Sequence, residues 1–166
     1  MYKHFVILVV LVLALSGCSS PNYCFQDMNT AFNVKLYKMV FNSTSEKYEE
    51  QAYTTTVTVH GLDNDSMLYN QTSLSSFSLP LKKLDTLSTF LIDQMYVEGV
   101  DTSYIQDTLW IRHYNTLEFV SMECGCASIY DVKSVLYSVN GIDSVKVVST
   151  AVDRSKADNL KIYVRK

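Results

Sequence analysis

The chain has 166 residues, of which 48% are hydrophobic, and its 14 basic and 17 acidic side chains give a formal net charge of −3. This length suits one domain with a substantial core and is short for two. Lys and Arg do not cluster with aromatic residues, which argues against a nucleic-acid partner. The two prolines and five glycines argue against a low-complexity chain.

The N-terminus resembles the signal of a bacterial lipoprotein. Lys3 precedes an unbroken apolar run over residues 5–15, and Ser16 and Gly17 then lead to Cys18. The run is too short to span a bilayer and has the length of the apolar region of a signal peptide. This order resembles a lipobox, so Cys18 is predicted to carry the lipid (palmitate) after the preceding residues are cut away. The alternative is an ordinary signal peptide, or a short anchor, that ends in a cysteine.

This signal predicts both the domain organisation and the location of the protein. Residues 1–17 are predicted as the signal peptide, 18–29 as a lipidated tether and 30–166 as a single domain. Position 19 is serine rather than the aspartate that retains many lipoproteins in the inner membrane. The following residues also lack the acidic cluster associated with surface export. We therefore expect a lipid anchor in the outer membrane, facing the periplasm.

Alternation of apolar and polar residues predicts that most of the remaining chain forms β-strands. Residues 42–51 are polar and charged and are predicted to be a connection, and Asn115 with Thr116 predicts a hairpin turn. The predicted strands cover 32–41, 53–60, one or two segments within 66–81, then 89–97, 108–114, 117–124, 145–152 and 160–164.

One segment shows a different spacing of its apolar residues. Ile129, Val132, Leu136 and Val139 recur at three- and four-residue steps, which predicts one short amphipathic helix over residues 128–139. Together with roughly seven to nine strands, this predicts a mainly β fold, an antiparallel two-sheet sandwich of the immunoglobulin-like kind. The alternative is an open β-barrel.

Three cysteines remain once Cys18 is assigned to lipid. Cys124 and Cys126 are two residues apart, so a bridge between them would be strained if the segment is a strand. Cys24 can pair with either of them and close a loop of roughly one hundred residues. The cysteine left over is predicted to be a buried thiol.

No recognisable arrangement of catalytic or metal-binding residues occurs in the sequence. His60 and His113 fit no nucleophile or metal motif and are predicted to be surface or edge histidines. The acidic segment at 63–65 has some likeness to a calcium loop but is better explained as a solvated turn. No cofactor and no metal is therefore predicted.

A single strand carries the most distinctive aromatic residue. Trp110 shares a face with Arg112 and Tyr114, while Leu109, Ile111 and His113 share the other. We expect Trp110 to lie in the core. The apolar stem of Arg112 would then lie along the core, and its charged guanidinium would reach water. The alternative is that the Trp110 face points outward and contacts a ligand, because aromatic residues and Arg dominate binding hot spots.

Four triplets of Asp, then Ser or Thr, then an apolar residue resemble the O-glycosylation motif of exported Bacteroidota proteins. The alternative is turn chemistry, because Asp followed by Ser or Thr often begins a strand. The candidate acceptors are Ser66, Thr86, Thr108 and Ser144.

Several motifs in order resemble a family of short Bacteroidota lipoproteins with one domain of unknown function. They are the lipobox, Cys24, the Ser-Leu-Pro-Leu segment at 78–81, Thr89-Phe90, the Asp107-x-Leu-x-Ile strand and the segment from Phe119 to Gly125. The resemblance implies a lipid-anchored β domain in which Cys24 pairs with Cys124. Cys126 has no clear counterpart in that pattern, and no catalytic residue is implied.

Two classes of function remain. The first is a non-enzymatic envelope module that binds a protein or glycan partner at the membrane. The second is a small thiol- or metal-dependent enzyme acting through Cys126. The first is favoured because His, Asp and Glu are not clustered in a recognisable arrangement.

Overall fold

The computed structural model describes residues 24–62, 66–98 and 101–165, which fold into two β-sheets. Within these ranges there is no helix, and hence none with the length and apolar character needed to cross a membrane. The strands are β1 (Phe32–Asn42), β2 (Lys47–Ala52), β3 (Thr55–Gly61), β4 (Ser66–Leu74), β5 (Ser76–Leu79), β6 (Leu87–Glu98), β7 (Asp101–Ser121), β8 (Gly125–Tyr137), β9 (Ile142–Val147), β10 (Ala151–Val152) and β11 (Asp158–Val164).

The two sheets form a β-sandwich, which confirms the predicted architecture over the open-barrel alternative. The first sheet has the order β2-β1-β11-β9, with β5 also paired to β1, and the second has the order β10-β8-β7-β6-β3-β4. The expectation of wholly antiparallel pairing is wrong for one pair, because β1 and β11 run parallel. Parallel neighbours need a long crossover, and here the connection from β1 to β11 includes all strands of the second sheet together with β2, β5 and β9.

The core lies between the sheets and follows the alternation of the sequence. Phe32, Val34 and Leu36 on β1 are fully buried and face Val57 and Val59 from the other sheet. Successive side chains of a strand point to opposite faces, so each strand contributes every second residue to this layer. The apolar pattern therefore determines which face of each sheet is inside.

The predicted helix over residues 128–139 is wrong, because this segment belongs to β8. Tyr130 and Val132 face the core, and Lys133 is then skipped in the pairing with β7, so that Val135 and Tyr137 face inward next. A β-bulge inserts one extra residue in this way. Of the four residues whose spacing predicted the helix, only Val132 is buried, whereas Ile129 is half-buried and Leu136 and Val139 are exposed. Their three- and four-residue steps therefore do not mark a single buried face.

The predicted turn at Asn115 and Thr116 is also wrong, because both residues lie within β7, which is 21 residues long. Asn115 pairs with Tyr130 and Thr116 with Ile129, and the turn lies instead at residues 122–124. Residues 114–119 are exposed on both faces of β7. Their polar character therefore reflects exposure of a long hairpin rather than a loop.

Strand β2 lies where the sequence predicts a connection. All six of its residues are exposed at the sheet edge, so no apolar alternation marks it. Its Glu50 pairs with Lys161 and accepts a hydrogen bond from the Tyr163 hydroxyl at 2.5 Å. Backbone pairing and these contacts hold a strand that has no core face.

Candidate functional site

A cavity of about 280 Å³ opens between the two sheets at one end of the sandwich. Strands β3 and β6 contribute Thr55 and Gln94 to its wall, and the segment before β9 contributes Asn140 and Gly141. Its remaining walls are formed by Tyr53, Met95, Tyr96, Ile105, Val164 and Arg165. The cavity lies close to the lower limit for small-molecule pockets, about 300 Å³, so it suits a small ligand.

The cavity forms because the inward face of the sheet changes from apolar to polar at this end. On β6 the inward residues run Phe90, Ile92 and then Gln94, and on β3 the inward Thr55 precedes Val57. Thr55 donates its hydroxyl to the Met95 carbonyl at 3.1 Å. Polar side chains therefore line the space where the core of the sandwich ends.

The Gln94 amide is the most unusual group in this cavity. The side chain is only 6% exposed, yet its Nε2 has no hydrogen-bond partner. A buried donor without a partner costs about 1–3 kcal/mol and is rare in folded proteins. Gln94 therefore contributes a buried amide nitrogen without a protein partner at the wall of the cavity.

Asp107 holds the segment that forms one wall. It is fully buried on the inward face of β7. One carboxylate oxygen accepts from the Ser138 hydroxyl at 2.7 Å and the Asn140 N–H at 2.9 Å, and the other accepts from the N–H groups of Gly141 and Ile142 at 2.8 and 2.9 Å. Residues 138–142 are thereby fixed against β7.

Gly141 permits this close approach. A Cβ added at this position would lie 3.0 Å from Ile105 Cγ2 and 3.1 Å from the Asp107 carboxylate. Such contacts are tighter than ordinary van der Waals packing, so a larger residue would push the segment away from β7. The cavity wall therefore depends on the glycine.

Two tyrosines and one arginine complete the chemistry of the cavity. Lys38 Nζ lies 3.8 Å from the centroid of the Tyr53 ring, a cation–π contact that fixes the ring. Tyr96 and the exposed Arg165 also line the space. Among the described lining residues there is no histidine, cysteine, aspartate or glutamate. The arrangement can bind through stacking and hydrogen bonds.

The cysteines lie at the turn between β7 and β8. Cys24 and Cys124 form a disulfide with Cα atoms 4.7 Å apart and 100 residues apart in sequence, which confirms the pairing that the family resemblance implied. Cys126 is free, but the expectation of a buried thiol is wrong because it is exposed. It lies opposite Phe119 in the part of the hairpin that is open to solvent.

His113 is buried, which corrects the expectation of a surface or edge residue. Its ring has no exposed area, and Nε2 lies 2.9 Å from the Ser88 hydroxyl oxygen. That hydroxyl oxygen also accepts from the Lys82 N–H at 2.9 Å. Burial lowers the pKa of His113, so it is neutral at pH 7. His60 lies 4.0 Å from Asp93 near the end of β3.

Trp110 faces away from the core, which overturns the expectation that it lies inside. Leu109, Ile111 and His113 occupy the inward face of β7, so Trp110 and Arg112 point outward. Together with Leu87, Ser134, Leu136 and Tyr137 they line an open groove of about 530 Å³. Both faces of this strand carry large apolar residues, so alternation alone did not identify the inner one.

The remaining predicted site residues are scattered. Thr86 is exposed before β6, Ser66 begins β4, and Thr108 and Ser144 lie half-buried within β7 and β9. Cys18 and the acidic segment 63–65 lie outside the described residues. Where the structure is described, no three His, Cys, Asp or Glu side chains are grouped so that they could hold a metal ion.

Sequence reasoning missed Gln94, and it used Asp107 only in a modification motif and in the family resemblance. Both residues continue an inward apolar alternation, Phe90-Ile92-Gln94 on β6 and Asp107-Leu109-Ile111 on β7. A polar residue in phase with a core stripe was the signal that could have identified them.

Comparison with known proteins places the chain in a family. No curated protein and no solved structure has significant similarity to it. Residues 56–164, from β3 to the end of β11, match the sequence model of a family of unknown function, DUF6452. The match covers more than half of the chain, which therefore belongs to the DUF6452 family.

Proposed function

We propose that this protein is a lipid-anchored, non-enzymatic binding module of a Bacteroidota cell envelope. The lipobox ending at Cys18 supports an anchor in the outer membrane, with the domain in the periplasm. The observation that carries the binding function is the buried Nε2 of Gln94, which has no protein partner in the sandwich-end cavity. The partner is a glycan, and the cavity holds one sugar residue of it.

The chemistry of the cavity supports a sugar. Tyr53 and Tyr96 supply aromatic surface, and Gln94 supplies a buried donor for a ligand oxygen. Arg165 adds positive charge at the wall, which favours a sugar that carries a carboxylate. A cavity of about 280 Å³ accommodates one ring rather than a folded segment of a protein partner.

Binding is favoured over catalysis by the positions of the reactive groups. Asp107 uses both carboxylate oxygens to hold residues 138–142. The enzyme alternative depends on Cys126, which lies opposite Phe119 in the pairing of β8 with β7. Phe119 lies fourteen residues along β7 from Ile105 in the cavity wall, which is about 45 Å at the rise of a β-strand. The thiol therefore cannot serve the cavity.

Substitution of Gln94 by Met tests the proposal, because it keeps the side-chain length and removes the amide. Without ligand, we expect the free energy of unfolding of Gln94→Met to be about 1 kcal/mol higher than that of the wild type, because the substitution removes a buried donor without a partner. Thermal unfolding in millimolar glucuronate, galactose and N-acetylglucosamine measures binding. Glucuronate should raise the melting temperature of the wild type and leave that of Gln94→Met unchanged.

Gln51→Met is the matched control, because Gln51 is exposed on β2. It should respond to glucuronate as the wild type does. Equal responses of the wild type and Gln94→Met to every sugar, including no response at all, would contradict the proposed role of the cavity.

A further inference from the structure

The far end of the β7–β8 hairpin presents large apolar side chains to solvent. Leu117, Phe119 and Met122 are 69%, 62% and 86% exposed. Leu84 is fully exposed and lines a shallow groove together with Leu117. We call these four residues the hairpin patch. Large exposed apolar side chains that are grouped at one end of a hairpin in this way are typical of an interaction site.

The other side of the hairpin is occupied by the chain itself. Thr30 of the N-terminal arm donates to the Ser128 carbonyl at 2.6 Å. Glu118 Oε1 lies 3.9 Å from Arg154 Nη2, and Arg154 Nη1 donates to Gln26 Oε1 of the arm at 2.8 Å. The loop before β11, to which Gln26 of the arm is bonded, thus contacts the side that carries Glu118, while Leu117 and Phe119 alternate onto the opposite side.

The disulfide determines what can meet the hairpin patch. Cys124 follows Met122 by two residues and is joined to Cys24, with 4.7 Å between their Cα atoms. Only five residues lie between Cys18 and Cys24, and the six steps from one Cα to the other span about 20–22 Å at most. If Cys18 carries the lipid, as the proposed function holds, the tip of the hairpin cannot leave the vicinity of the bilayer.

We propose that the hairpin patch rests on the bilayer surface and orients the domain with its cavity directed away from the membrane. This inference depends on the lipid anchor of the proposed function. The cavity lies at the opposite end of β7, about 45 Å along the strand from Phe119. The lipid and the hairpin patch are two membrane contacts joined by a covalent bond, so the domain stands on the bilayer instead of tumbling on its tether.

The charge next to the tip limits the depth of this contact. Hydrogen bonds from its own backbone N–H and from the Ser121 hydroxyl lower the pKa of Glu123, so its carboxylate is charged at neutral pH. A carboxylate is strongly disfavoured in hydrocarbon. The apolar side chains therefore enter the level of the lipid headgroups, and Glu123 stays in water.

A tryptophan at the tip reports contact with lipid directly. In full-length chain purified from membranes, Trp110→Phe removes the native fluorophore, and Met122→Trp places one on the hairpin patch. The protein is reconstituted into vesicles of phosphatidylethanolamine and phosphatidylglycerol with or without brominated acyl chains. We expect bromine to reduce the emission of the tip tryptophan at least twofold.

Leu136→Trp in the same Trp110→Phe background is the matched control, because Leu136 is also exposed but lies opposite position 110 on the outer face of the sheet. Its emission should not change with bromine. Equal emission of the tip tryptophan in both kinds of vesicle overturns the inference. Self-association through the tip would also overturn the inference. It would be seen as oligomers that disappear in Phe119→Ser, together with no quenching at position 122.

Mass spectrometry of the same preparation separates the two proposals. An acyl group on Cys18 supports the anchor, and an unmodified Cys18 contradicts the anchor of the proposed function. Quenching at position 122 tests the hairpin patch independently of the lipid anchor. If the tip tryptophan is not quenched, the hairpin patch is rejected as a membrane contact whether or not Cys18 carries lipid.

Discussion

At the scale of single residues, His113 makes the stability of the fold depend on pH. Its ring is fully buried, Nε2 is engaged with Ser88 and Nδ1 has no partner. Burial lowers the pKa of His113 in the folded chain below the ordinary value of 6.5, and the Lys82 charge adds to this while Asp85 opposes it. The unfolded chain therefore binds a proton at higher pH than the folded chain does.

We expect the free energy of unfolding to fall as the pH is lowered through 6.5, because protonation then favours the unfolded state. Above this pH the histidine is neutral in both states and the contribution is fully present. Urea unfolding at a series of pH values between neutral and mildly acidic measures the effect.

His113→Asn should flatten this dependence, and His60→Asn should retain it. A wild-type profile that is flat, or a His60→Asn variant in which the dependence disappears, would contradict the assignment to His113.

At the scale of secondary-structure elements, Asp107 joins β7 to the segment that leads into β9. The carboxylate accepts three backbone N–H groups and one hydroxyl, and it is fully buried. It acts as a clamp between the two sheets, since β7 belongs to the second sheet and β9 to the first.

Asp107→Asn should lower the free energy of unfolding by about 2–4 kcal/mol. The amide replaces one acceptor oxygen with a donor that faces N–H groups, and hydrogen bonds to a charged group contribute about 1.5–3 kcal/mol each. Denaturant unfolding measures the change. Asp131→Asn, on the exposed side of β8, is the control and should change stability by less than about 1 kcal/mol. Similar effects of the two substitutions would refute the clamp.

At the scale of the whole molecule, the disulfide joins the N-terminal arm to the far end of the long hairpin. It closes a loop that spans most of the domain, because the two cysteines are 100 positions apart in the sequence. In the chain-entropy model, such a loop stabilises the fold by about 4.7 kcal/mol, which is an upper figure.

The double substitution Cys24→Ser with Cys124→Ser should lower the free energy of unfolding by about 2–5 kcal/mol, because the unfolded chain regains its freedom. Unfolding under non-reducing conditions measures it. Cys126→Ser, at an exposed position, should change stability by less than about 0.5 kcal/mol. A larger effect for Cys126→Ser than for the double variant, or a peptide map linking Cys24 to Cys126, would show that the wrong sulfur is assigned.

Local pattern was sufficient for most strands and for the two-sheet architecture. Alternation at Phe32, Val34 and Leu36 identified a strand whose buried face the structure confirms, whereas alternation over residues 108–114 identified a strand but not the face that is buried. This works because the side-chain period of a strand is two wherever one face is buried. It fails for β2, which has no buried face, and for β8, where the bulge at Lys133 changes the period.

The sequence by itself determined most of the strands and the two-sheet sandwich. The tertiary structure alone decided that β1 and β11 lie side by side, that Trp110 points outward and that Gln94 is enclosed without a partner. The physical reason is that periodicity records which residues alternate along one strand. Which strands become neighbours, and which groups meet where the two sheets end, depends on contacts between residues far apart in the chain.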